Sequence, residues 1–149
     1  MRIGLICMVL SLAARAQSAS SVAGAGQGAF PAGAVWQGVP LSALSFGASV
    51  GLGAAGAADG YFQTTLVGVG GARNILVNGT ATSGSATVGG PASFSGTCAL
   101  DMGDGTPPLT VPFAATLATD AAGNVTLALT LNGQRLPVAA IGSGNYGTQ

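Results

Sequence analysis

The sequence predicts an all-β protein, an antiparallel β-sandwich of about seven or eight strands, immunoglobulin-like in general architecture, with a small barrel as the other architecture the pattern fits. Three observations lead there. From residue 41 onward, apolar residues alternate with small or polar ones at period two, the pattern of strands with one buried face. Gly, Asn, Asp and Pro interrupt that alternation every 10–16 residues or so, the spacing of strands joined by turns. The runs between them are rich in Thr and Val, which suit a pleated, half-buried surface.

The chain of 149 residues begins MRIGLICMVLSLAARA. Arg2 supplies a positive start, Ile3 to Leu12 an apolar stretch, and Ala14-Arg15-Ala16 a small-x-small cleavage site. Residues 1–16 therefore read as a secretory signal peptide, too short to stay in a bilayer as a resident helix. Cys7 follows Ile6 in the middle of the apolar stretch, which is not the place of a lipid-modified cysteine. The expected location is secreted: extracellular, periplasmic or at the cell surface.

Residues 17–40 are rich in Gly, Ala and Ser with Pro31 and Pro40, and read as an irregular, flexible arm with Phe30 and Trp36 as docking points. A single β domain is expected over 41–142. In SFGASVGLG, Phe46, Ala48, Val50 and Leu52 share one face. YFQTTLVGV makes a second strand, and NILVNGTAT a third, interrupted near Asn78-Gly79. SATV forms a short edge strand before Gly89-Gly90-Pro91. Phe94, Cys98, Leu100 and Met102 then share a phase, as do Leu109, Val111, Phe113, Ala115 and Leu117, and again Val125, Leu127, Leu129 and Leu131. Asp120 to Asn124 reads as a hairpin loop and Asn132-Gly133 as a two-residue hairpin turn. Leu136, Val138 and Ala140 begin a return strand, and residues 143–149 are expected to fray. The expected core is thin, with Phe94, Phe113 and Leu127 among its costly members.

Charge excludes whole classes of function. The sequence holds no Lys, Glu or His, and the chain beyond residue 16 keeps only Arg73 and Arg135 against Asp59, Asp101, Asp104 and Asp120, a net charge of −2. Two arginines cannot neutralise the phosphates of a nucleic acid, nor anchor a protein electrostatically to a membrane. No transmembrane segment is expected after cleavage. Cys98 is then the one remaining cysteine, so no internal disulfide forms, and its phase with Phe94 and Leu100 marks it as a buried thiol.

Two motifs invite catalytic readings and lack their chemistry. Gly51-Leu-Gly-Ala-Ala-Gly56 matches a dinucleotide fingerprint, but no acid lies between Asp59 and Asp101 to hold a ribose. Gly47-Ala-Ser49-Val-Gly51 matches a nucleophile elbow, which needs a histidine base the chain does not have. The close acidic pair, Asp101 and Asp104, is the candidate metal site: with nearby carbonyls it could offer oxygen ligands to calcium. The competing reading is a strand-ending turn, with Asp104-Gly105 as its signal and Pro107-Pro108 stiffening the exit. Leu100-Asp-Met-Gly-Asp-Gly-Thr106 resembles the aromatic-Asp-aromatic-Gly-Asp-Gly turn of PKD-type immunoglobulin-like domains, with Leu100 and Met102 in place of the aromatics. That local likeness supports the sandwich expectation. Asn78-Gly-Thr80 and Asn124-Val-Thr126 fit the glycosylation sequon.

The expected function is non-enzymatic: a secreted β protein acting as a structural, surface or matrix component, with no cofactor. Its partners would be other copies, joined through β edges that carry few charges, or a surface ligand. The alternative is a binding module that takes calcium or a glycan through the loop at residues 103–108.

Overall fold

Period-two alternation becomes strand almost throughout. The computed structural model describes residues 17–71 and 73–149, so the expected signal peptide at 1–16 lies outside the described residues. The strands are β1 (Ser21–Ala29), β2 (Val35–Trp36), β3 (Val39–Leu52), β4 (Ala57–Gly68), β5 (Asn74–Ala86), β6 (Ala92–Asp101), β7 (Leu109–Thr119), β8 (Val125–Leu131), β9 (Gln134–Arg135) and β10 (Ala139–Thr148). Among the described residues the protein is all-β and antiparallel, as the sequence predicts, with ten strands rather than seven or eight.

These strands form one sheet that closes on itself. Each strand from β3 to β8 pairs with the next long strand in sequence, β8 pairs with β10, β10 with β1, and β1 with β3. The opposed faces of a sandwich are here opposite walls of one hydrogen-bonded circuit, an up-and-down barrel of eight long strands, with β2 and β9 as short additions. Closure leaves few free edges.

The strand that completes the circuit comes from the segment expected to be a flexible arm. Ser21–Ala29 pairs along its whole length with β3, from Ser21↔Gly51 to Ala29↔Ala43, and on its other side with β10, from Val22↔Thr148 to Ala29↔Ala140. The irregular reading fails because the alternation is there in glycine: Val22, Gly24, Gly26 and Gly28 share one phase. A Cβ on Gly24, Gly26 or Gly28 would stand 2.7, 2.6 and 2.6 Å from the carbonyl oxygens of Asn145, Ser143 and Ala140. Only glycine lets β1 come this close to β10, as at other tightly curved sheet positions. The tail expected to fray is held by the same seam, with Gln149 N–H donating to Ser21 O at 3.1 Å. From the rest of the expected arm, Phe30, Ala34 and Trp36 join the core.

Inside, the apolar phases converge on a ring stack. Phe62, Phe94 and Phe113 meet with centroids 5.5 to 6.4 Å apart, Phe62 stacked on Phe113 and both edge-on to Phe94. The expected break at Asn78-Gly79 does not occur, and β5 runs through it. Gly79 faces inward, and a Cβ there would lie 2.7 Å from Phe113 Cε1, so the glycine makes room for the ring. The expected edge strand SATV begins inside the same β5. The hairpin at Asn132-Gly133 is as read: both residues take positive φ, 50° and 76°, and Leu131 pairs with Gln134.

The outer wall carries Ser, Thr, Asn and Gln with a few apolar side chains such as Leu76 and Leu109, and among the described residues the interior is apolar apart from Thr64, Thr148 and the Trp36 indole N–H, which has no hydrogen-bond partner. Each buried hydroxyl is satisfied: Thr64 donates to Ser45 O at 2.7 Å, and Thr148 donates to Thr87 O at 2.7 Å. The interior is thus apolar, where that of a membrane-spanning channel barrel is polar. Among the described residues no helix is long and apolar enough to cross a membrane.

The weakest seam is β8–β10, with only Ala139↔Leu127 and Ala140↔Thr126 in register. Beyond it, the side of β10 turned from β1 is bridged to the β5–β6 turn by Tyr146, whose hydroxyl donates to Gly90 O at 3.2 Å.

Two substitutions separate closure from core packing. Gly26→Val forces β1 from β10 and is expected to cost about 1–3 kcal/mol, as overpacking does. Phe113→Ala opens the ring stack and is expected to cost about 3–5 kcal/mol. Urea unfolding reads both, and outward-facing Ala23→Val serves as a near-neutral control.

Candidate functional site

The acidic pair sits in the β6–β7 turn, at one rim of the barrel. Asp101 ends β6, and its Oδ1 accepts from the Gly103 N–H at 2.9 Å. Asp104 Oδ1 accepts from the Thr106 N–H at 3.0 Å and from the Thr106 hydroxyl at 2.6 Å. Each carboxylate thus closes a turn two residues ahead of itself, the Asx geometry that short acidic side chains favour. Gly103 takes a φ of +66°, and a Cβ there would stand 2.1 Å from Asn74 O, so the turn lies tight against the start of β5.

Arg73 approaches from the β4–β5 turn, with Nη1 3.5 Å from Asp104 Oδ2. Both partners are about a third exposed, so solvent screens this pair and it contributes little to stability. The Thr106 hydrogen bonds, helped by Arg73, hold the Asp104 carboxyl below the usual carboxylate range. The structure therefore brings Asp101 and Asp104 into one turn with a cation beside them. Among the described residues, no three His, Cys, Asp or Glu side chains gather where they could hold a metal ion.

The β7–β8 turn uses its acid in the same way. Asp120 Oδ1 accepts from the N–H groups of Asn124 at 2.8 Å and Ala122 at 2.9 Å, which lowers its pKa. Asn124 of the second sequon donates its side-chain amide to Asp120 Oδ2 at 3.1 Å. Asn78 and Thr80 of the first sequon both stand exposed on the outer face of β5.

The catalytic-looking motifs fall on plain β geometry. Ser49 of the G-x-S-x-G match is exposed in the straight run of β3. The G-x-G-x-x-G match is the β3–β4 hairpin: residues Ala54–Gly56 make a single 3-10 turn and β4 follows at once, with no helix to face a phosphate. Cys98 is buried in the core, and burial pushes its thiol up.

The outer wall also holds a groove beside Tyr61, a side chain that is exposed and so is not a core residue. Tyr61, Gln63 and Thr65 project from β4 beside Ser45 of β3 and Asn78 of β5, lining a shallow groove of about 430 Å³. Its signal was present in YFQTTLVGV, where Phe62, Thr64 and Leu66 turn inward and so send Tyr61, Gln63 and Thr65 outward.

Compared with known proteins, the chain matches no family model, no curated protein and no solved structure.

The two depressed carboxyls give a pH signature. A carboxyl whose pKa is lowered on folding stabilises the fold above its unfolded value, near 4, and loses that contribution as pH falls through the lower folded value. With no histidine to titrate, the melting midpoint is expected to stay level from about pH 5 to 8 and to drop below about pH 4. Pairing Asp104→Asn with Asp120→Asn is expected to flatten that drop. Thermal melts across pH check it, and a midpoint that moves between pH 5 and 8 would contradict it.

Proposed function

We propose that this protein is a secreted, non-enzymatic β-barrel that serves as a structural or surface component outside the cytoplasm. The observation that carries the reading is how the reactive side chains are used. Asp101, Asp104 and Asp120 hold their own turns, Cys98 lies in the core, and Ser49 stands on an open strand in a chain with no histidine. What faces outward is mostly hydroxyl, amide and small side chains, a chemically quiet surface. Copies could associate through the part of β10 beyond the short β8–β10 seam, a stretch with no charged residue to discourage pairing.

Cell fractionation with N-terminal sequencing tests this reading. The expected result is a chain starting at Gln17, found in the medium, the periplasm or the surface fraction. A chain retained in the cytosol with residues 1–16 attached would overturn it.

The second reading, a calcium-binding module through residues 103–108, draws on the two carboxylates of that turn. Calcium would have to displace Arg73 from Asp104 Oδ2. A melting midpoint raised by millimolar Ca²⁺, with the rise abolished in Asp104→Ala, would put this reading ahead.

A further inference from the structure

We propose that the outer-wall groove across β3, β4 and β5 binds a neutral saccharide chain. This site lies on the wall of the barrel, away from the acidic turn, and does not depend on the structural role proposed above.

The groove is lined by Tyr61 and by two full rows of cross-strand neighbours, Gly47, Gln63 and Asn78, and Ser45, Thr65 and Leu76, with Gly24 and Ala25 of β1 beside them. Side chains directly opposite on neighbouring strands stand about 5 Å apart, so each row is one continuous contact surface. Gly47 makes the dent in its row. A Cβ at that position would touch Gln63 Nε2 at 3.5 Å, so a larger side chain there would crowd the Gln63 amide.

The chemistry of the lining selects the ligand class. Tyr61 is 54% exposed, whereas Trp36 is buried and Tyr146 spends its hydroxyl on Gly90. Tyr61 is thus the aromatic on offer, with a flat face for the C–H side of a sugar ring. An amide donates through its NH₂ and accepts through its carbonyl, so Gln63 and Asn78 can each meet neighbouring sugar hydroxyls in both directions. The side-chain hydrogen bonds of β3, β4 and β5 are made by Ser42, Thr64 and Ser83. Among the described residues, the Tyr61 phenol and the Gln63 and Asn78 amides are left for a ligand.

Other ligand classes fit less well. No charged side chain lines the groove, so nothing there pairs with a phosphate or a carboxylate. A peptide strand docks by its backbone on a free sheet edge, and here β4 is paired on both sides, with β3 and β5. Side-chain hydrogen bonding and one aromatic face remain, which is how uncharged, hydroxyl-rich chains are held.

Native gel electrophoresis of the full chain through hydroxyethylcellulose, xylan, galactomannan or dextran tests the proposal. The expected result is retardation in at least one of the four. Tyr61→Ala and Gly47→Val are expected to weaken the apparent affinity at least about tenfold. Ser95→Ala, on β6 outside the groove, is expected to migrate like the wild type. Circular dichroism and melting confirm that each variant is folded, and Gln63→Ala replaces any variant that is not. No retardation of the wild type in any of the four gels, or retardation that folded groove variants retain in full, would overturn the proposal.

Discussion

Everything in this barrel depends on how closely β1 approaches β10. A sheet closes only if its last seam can form hydrogen bonds while the walls curve sharply. Here that seam uses residues with no side chain on the inward face. Gly24, Gly26 and Gly28 lie against the carbonyls of β10 at distances that no Cβ could share. The conformational cost of ordering glycine is high, and it is offset by pairing on both sides of the strand. Without β1, both β3 and β10 would present long unpaired edges, and the core would lose Val22 from its wall.

Closure sets the division of labour between the two faces. The interior takes the apolar phase of every long strand, centred on Phe62, Phe94 and Phe113, and a second glycine, Gly79, is given up to fit the rings. The outer face is left with hydroxyls, amides and very little charge. A wall of this kind cannot bind by electrostatic attraction, and its mostly paired backbone offers little for strand addition. Recognition on it must come from the few places where an aromatic ring and amides stand together. Tyr61, Gln63 and Asn78 form such a place because their strands are adjacent and in register.

The sequence made much of this legible. The phases of Phe46 to Val50, of Phe94 to Leu100 and of Val125 to Leu131 each gave the correct inward face, because apolar side chains at period two have one physical reading. The Asn132-Gly133 and Asp120–Asn124 turns were readable because their local chemistry determines them. What stayed hidden was long-range. Alternating glycine in β1 carries no hydrophobic signal, so its period shows only once the opposing strand is in place. Gly79 looked like an interruption for the same reason: its partner, Phe113, is 34 positions away in the chain. The groove followed from phase, but its composition needed the β3–β4–β5 register, which no single stretch of sequence contains.

Native-state hydrogen exchange on the amides of Val22 to Gly28 tests the closing seam most directly. If β1 joins β3 and β10 as described, these amides exchange as slowly as those in the middle of β3 and β4. Exchange at the rate of an unstructured glycine-rich segment, with β3 and β4 still protected, would mean that the barrel is open and residues 17–40 are an arm.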